Sequence, residues 1–237
     1  MIGVILAAGK GSRLGQYTHD LPKSLLPLND QKTLLDYNLS ILKEIGIDKI
    51  LIVTGFNSQK IEAHVSNNES VEIIYNPFWN NCNVLGSLYM AIDKIDDDFL
   101  FLHADTLASI EIWKRLVEHD GDMILPFERK QCGEEEMKIS LKDNKINKIS
   151  KQIESSDAIG EFLGIAKFGK NTIPYFKQVS ERLFKNNQLQ EYMESVVQHA
   201  IDDKKFEIEI LDILDAKFVE VDFEEDYLRA KKEFGAE

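Results

Sequence analysis

The opening stretch, Ile2 to Lys23, constrains the fold more than any other part of this chain. Ile2, Val4, Ile5 and Leu6 form an apolar run that reads as a strand buried on both faces of a parallel sheet. The run passes into Ala7-Ala8, whose small side chains let a ligand lie against the backbone, and then into Gly9-Lys10-Gly11-Ser12-Arg13. Gly9 and Gly11 permit positive φ, so successive N–H groups can turn inward and cradle an anion. Lys10 and Arg13 set two cations beside that concavity. Lys23 arrives after a polar loop, with Pro22 restricting its approach. Such a set suits a polyphosphate.

The glycine spacing fits neither common phosphate loop. After Gly11 the next glycine is Gly15, off the dinucleotide-binding spacing, and no G-x-x-x-x-G-K-[ST] string is present. Taken alone, the glycines are equally compatible with a plain strand-to-helix turn flanked by solvated cations. The longer string L-A-A-G-K-G-S-R followed by P-K resembles the signature of nucleoside-triphosphate transferases that activate phosphorylated sugars and phosphorylated small alcohols. The resemblance implies a Rossmann-like α/β fold, a three-layer α/β/α sandwich with a mixed, mostly parallel sheet. It implies that Leu6, Ala7, Ala8, Gly9, Gly11 and Ser12 hold the nucleotide, and that Lys10, Arg13 and Lys23 act on its phosphates.

Composition narrows the surroundings. A chain of 237 residues with 43% hydrophobic content and no low-complexity linker suits one domain, 1–237. Cys82 and Cys132 lie far apart without metal-type spacing and read as free thiols of a cytoplasmic protein. No apolar run approaches the ~20 residues of a membrane span, and the N-terminal run lacks the length and basic flank of a signal peptide. A net charge of −13 argues against nucleic acid as a partner. Residues 1–60 nevertheless hold seven Lys/Arg against five Asp/Glu, so positive charge is kept around the glycine loop. Monomer and homodimer both stay open.

Further along, a β-helix-β-helix-β rhythm through Val71–Tyr75 calls for a parallel sheet with helices on both faces, and ligands at the carboxyl ends of its strands. Thr33 reads as a helix N-cap and Gly46 as that helix's end. A fourth strand ends in His103-Ala104-Asp105, with His103 expected to be a core or structural residue. Lys142-Asp143-Asn144 marks a hairpin turn, and Glu134-Glu135-Glu136 a solvated loop tip. Gly160 to Phe168 reads as one strand, and Asn171–Lys185 and Leu189–Ile201 as two helices.

Several residues carry two readings. Asn83 caps a helix or, with Gly86 and Ser87, faces the base; N-x-x-G-S-L resembles the branch of the family that uses CTP. Asp105 and Asp222 are a turn residue and an N-cap or, as the resemblance implies, two metal ligands for Mg²⁺, with Ala104 against the nucleotide. Lys151, with Lys145 and Lys148 as competitors, matches a lysine that meets the acceptor's phosphate. Glu161 is a surface residue of an edge strand or the partner of a cationic amine; G-E-F-x-G-I-A resembles the phosphocholine- and phosphonate-type cytidylyltransferases. The expectation is transfer of CMP from CTP to a small amine- or amide-bearing phosphate or phosphonate, for surface-polysaccharide or lipid decoration. A hexose-1-phosphate enzyme using UTP or dTTP, or a non-catalytic nucleotide-binding module, are the alternatives.

Overall fold

The computed structural model describes residues 1–236. The apolar run Ile2–Ala7 (β1) lies inside a ten-stranded sheet, paired in parallel on both sides. Helix Leu34–Glu44 (α1) follows, opened by a capping box in which the Thr33 hydroxyl accepts from the Asp36 N–H and Asp36 accepts from the Thr33 N–H. Strand Ile50–Thr54 (β2) pairs with β1, helix Ser58–Val65 (α2) crosses over, and Val71–Tyr75 (β3) closes that edge. Helix Val84–Ala91 (α3) then returns the chain to Phe99–His103 (β4) on the far side of β1. The order β3-β2-β1-β4 is all parallel, as short helical crossovers demand.

Alternation along β1 splits the core. Ile5 packs with Leu102, Leu35 and Phe234 on one face, while Val4 packs with Phe101, Leu88 and Phe176 on the other. All are essentially inaccessible, and each such burial is worth about 1.5–3 kcal/mol. Helices therefore cover both faces, the three-layer arrangement expected.

Beyond β4 the chain makes a short strand, Thr106–Ala108 (β5), helix Ile110–Glu118 (α4) and strand Met123–Glu128 (β6). The hairpin Lys138–Lys142 (β7) and Lys145–Ser150 (β8) turns at Asp143 and Asn144, both with positive φ. Gly160 to Phe168 is two strands, Gly160–Phe162 (β9) and Ile165–Phe168 (β10), separated where Gly164 takes φ +69°. A side chain at Gly164 would stand 2.9 Å from His103 Nδ1, so the break is set by close approach to β4. β9 pairs with both β6 and β7, so Glu161 sits on an interior strand and not on an edge.

Helix Ile173–Lys185 (α5) is followed by Glu194–Asp203 (α6), five residues later than the Leu189 start expected. Residues 189–193 stay non-helical because their carbonyls serve the start of α3: the Asn83 N–H donates to Leu189 O and the Leu85 N–H to Glu191 O. Strand Ile208–Asp212 (β11) pairs in parallel with β6. Strand Phe218–Glu220 (β12) leaves the main sheet and pairs with β5, before helix Glu224–Phe234 (α7).

The β6–β9 pairing tests the packing. A Cβ at Gly160 would collide with the Glu128 carbonyl oxygen, a backbone atom with little freedom to yield. Gly160→Ala is expected to destabilise the protein by about 1–3 kcal/mol, read as a lower urea midpoint. An unchanged midpoint would refute this register.

Candidate active site

At the carboxyl end of β1 the chain turns through Gly11, with φ +66°, into a 3₁₀ segment, Ser12–Thr18. The Thr18 hydroxyl donates to Gly11 O at 2.7 Å and holds the loop. A Cβ on Gly11 would stand 3.0 Å from Cβ of Lys23, so glycine is needed twice there, for its conformation and for the lysine's approach. Between this loop and the end of β4 lies a cleft of about 260 Å³. Its walls include Leu6, Ala7, Gly9, Gly11, Ser12, Arg13, Lys23, Ala104, Asp105 and Asp222, all singled out from the sequence, together with Ser24, which was not.

Lys23 is the hub. Its buried ammonium donates to Asp105 Oδ2 at 2.6 Å and to Asp222 Oδ1 at 2.9 Å, while Arg13 Nη1 donates to Asp222 Oδ2 at 3.0 Å. Burial alone would lower the Lys23 pKa; the two carboxylates outweigh it and hold the ammonium well above the ordinary lysine range. Burial likewise opposes ionisation of Asp105, but the charges of Lys23 and His103 keep its carboxyl below the usual range. Asp222 belongs to no cap: Phe223 precedes α7, and Asp226 accepts from the N–H groups of Asp222 and Phe223.

Two hard carboxylate oxygens already converge on one cation, and Asp105 Oδ1 is buried without a hydrogen-bond partner among the described residues. This donor set fits a divalent ion such as Mg²⁺. His103, Asp105 and Glu220 also present ligand atoms within 4.8 Å of one another.

A second cavity, about 310 Å³, adjoins the first through Arg13 and Asp222. Lys151 and Glu161 line it; Lys145 and Lys148 do not. The Lys151 ammonium lies 5.4 Å from the Tyr192 ring centroid. Glu161 is half-buried and accepts from Lys130 Nζ at 2.8 Å; burial raises its carboxyl although Lys130 opposes this.

His103 is not a core residue. It lines this cavity, with Nδ1 3.8 Å from Glu220 Oε1. Burial would lower its pKa, yet Glu220 and the charge of Asp105 push it up to about 9. Glu135 is solvated as expected, its side chain 78% exposed, and its Oε2 also lies 3.6 Å from Arg13 Nη2 and 3.9 Å from Lys151 Nζ. Glu194 at the start of α6 was missed altogether. Side-chain direction across two layers brings these groups in, and no local spacing signals it.

The remaining residues chosen from the sequence lie outside the cleft lining. Lys10 stays outside both cavities, its ammonium 5.5 Å from the Phe56 ring centroid. Ala8 is absent from the lining, its carbonyl accepting from the Phe56 N–H. Asn83 caps α3 through its side-chain oxygen and donates to Gln190 O, Gly86 packs on Cys82, and Ser87 accepts from Asn76. None of these three lines the cleft.

A sheet edge of this construction is that of an α/β protein built to bind a nucleoside triphosphate. Residues 3–168 match the MobA-like NTP transferase domain, and the chain belongs to that family of nucleotidyltransferases. It is 32% identical over 100 residues to a choline-phosphate cytidylyltransferase of Streptococcus pneumoniae, a match covering 42% of this chain and 43% of that one. The matched segment thus spans less than half of that relative. Over 95% of its length it is 22% identical to the CTP:phosphoglutamine cytidylyltransferase of Campylobacter jejuni, covering 97% of that protein. The inositol-1-phosphate CTP transferase from T. maritima superposes with a TM-score of 0.80 at 19% identity, covering 98% of this chain and 96% of that one, a likeness of fold.

The His103–Glu220 pair makes a pH prediction. A histidine raised from 6.5 to about 9 contributes stability fully below pH 6.5, where it is charged in both folded and unfolded chains, and loses it as pH rises through 9. NMR titration should place the His103 midpoint near 9, and Glu220→Gln should lower it. The stability gap between wild type and Glu220→Gln should shrink between pH 6.5 and 9. A midpoint near 6.5 in wild type would refute the pairing.

Proposed function

We propose that this chain transfers CMP from CTP to a phosphate or phosphonate oxygen of a small amine- or amide-bearing acceptor, releasing pyrophosphate in a Mg²⁺-dependent reaction. Its product would serve surface-polysaccharide or lipid decoration. The observation that carries this reading is the pair of adjoining cavities with Arg13 and Asp222 in their shared wall and Lys23 beside them. One cavity suits a triphosphate against the glycine loop. The other suits an anion–cation acceptor, with Lys151 near the wall and carboxylates beyond.

The acceptor oxygen attacks the α-phosphorus; a new P–O bond forms and the α–β bridging P–O bond breaks, so that pyrophosphate departs with the electron pair. That oxygen is already anionic, so no general base is needed. The protein's work is to bring two anions together and to offset charge on the α-phosphate and the leaving group, which falls to Lys23 and Arg13. Lys10 reaches the phosphates only by leaving Phe56. Asp105 and Asp222 would hold Mg²⁺, which supplies further positive charge at the phosphates.

Preference for CTP and for a nitrogen-bearing acceptor is supported by the two named cytidylyltransferase relatives and by the acidity of the second cavity. A hexose-1-phosphate would leave that acidity without a counterpart. A cytoplasmic setting is supported by Cys82 and Cys132, both free thiols.

A pyrophosphate-release matrix tests this: four nucleoside triphosphates against phosphocholine, aminoethylphosphonate, a phosphorylated amide and hexose-1-phosphates. CTP with a nitrogen-bearing acceptor should dominate. UTP or dTTP with a hexose-1-phosphate would overturn the substrate assignment, and no release with any pair would indicate a non-catalytic module. Lys23→Ala should cut turnover by roughly 10²–10³ or more, with an unchanged circular-dichroism spectrum.

A further inference from the structure

We propose that Glu194 makes this site select acceptors whose far end carries N–H donors, a primary ammonium above all, over quaternary ammonium and polyol acceptors. This selectivity rests on the amine-bearing acceptor proposed above and narrows it.

Glu194 is the first residue of α6 and is 4% exposed, yet it lines the second cavity. Its Oε2 is buried and has no hydrogen-bond partner among the described residues. A buried carboxylate oxygen left without a donor is costly, and a ligand that supplies one recovers that cost. Burial pushes the Glu194 carboxyl up, and Glu220 adds to this against His103 and Lys151, so an incoming cation would favour its charged form.

Three classes of donor or cation compete for that oxygen. A neutral hydroxyl can hydrogen-bond to it but leaves the local charge unbalanced: the cavity holds eight carboxylates against four Lys or Arg cations. A quaternary ammonium carries charge but no N–H, and it is recognised through free aromatic faces. Most of those faces are engaged here. Lys151 stands over Tyr192 and Arg13 over Phe223, at 5.4 and 5.6 Å from the ring centroids, Phe162 is only 2% exposed, and Phe218, half-buried, is the one remaining phenyl ring of the lining. A primary ammonium supplies both charge and donors.

The opposite end of the acceptor is marked as well. Glu135 Oε2 lies between Arg13 and Lys151, an anionic oxygen held where the acceptor's phosphate belongs. A dipolar molecule with its phosphate at these cations and its ammonium at Glu194 matches both ends.

Isothermal titration of the full chain decides the matter, using phosphoethanolamine, phosphocholine and inositol-1-phosphate with a non-hydrolysable CTP analogue and Mg²⁺ present. Phosphoethanolamine should bind about tenfold or more tighter than either of the others, the scale of a charge-assisted hydrogen bond. Glu194→Gln should shrink that preference to about threefold or less while CTP-analogue affinity stays unchanged. Equal or tighter binding of phosphocholine or inositol-1-phosphate, binding of none of the three, or a Glu194→Gln variant that keeps the full preference would overturn the proposal. Should Glu194→Gln not fold, the wild-type ratio alone decides. Pyrophosphate release from CTP with phosphocholine as the best acceptor would sink this selectivity and leave nucleotidyl transfer standing. Failure to release pyrophosphate with every acceptor would sink the transfer itself.

Discussion

Two carboxylates brought face to face repel each other, and in this protein one lysine makes their meeting stable. Asp105 and Asp222 reach Lys23 from 82 and 199 residues away along the chain. Breaking a fully buried ion pair by removing one partner costs about 3–5 kcal/mol; the figure here is smaller, because the Asp222 side chain is 33% exposed. It still exceeds the value of an ordinary surface pair, about 0–1 kcal/mol. The same ammonium that holds the carboxylates together thus stands between the two oxygens proposed to hold a divalent ion. Its position couples the stability of the site to its charge state.

The backbone prepares this meeting before any side chain acts. β5 and β12 form a two-stranded sheet of their own, with Glu220 opposite Thr106. Just beyond it the Val221 N–H donates to the carbonyl of Asp105 at 3.0 Å. Asp105 precedes β5 and Asp222 follows β12 by two residues, so the register of this small sheet sets their separation. Strand pairing specifies register tightly when one face is buried, and Leu107 and Val219, paired across it, are both fully enclosed.

Legibility followed the range of the interaction. β1, the Thr33 cap, the hairpin turn at Asp143-Asn144 and the glycine loop were readable because each depends on neighbours a few residues apart. Asp105 and Asp222 were readable through the family signature, although the sheet that joins them was not: three-residue strands are too short to show alternation. Asn83, Gly86 and Ser87 illustrate the converse. Their local chemistry allowed both a cap and a base contact; the structure shows the cap, with the carbonyls of residues 189–191 holding that end of α3. The cavity positions of Glu194 and His103 were unreadable, since a polar residue reveals nothing of which cavity it faces until the layers are stacked.

The distribution of charge ties these parts together. A chain of net charge −13 would repel a nucleoside triphosphate unless cations stood where it binds. Arg13 stands at the junction of the two cavities, Lys23 lies in the first and Lys151 in the second, where the carboxylates concentrate. A uniformly basic pocket would hold any anion tightly and release none of them readily. A seam of three cations, each already engaged by a carboxylate, binds anions only by exchanging one partner for another. Each exchange is close to balanced in charge, and a near-balanced exchange is what lets a transferase release an anionic product as readily as it takes in an anionic substrate.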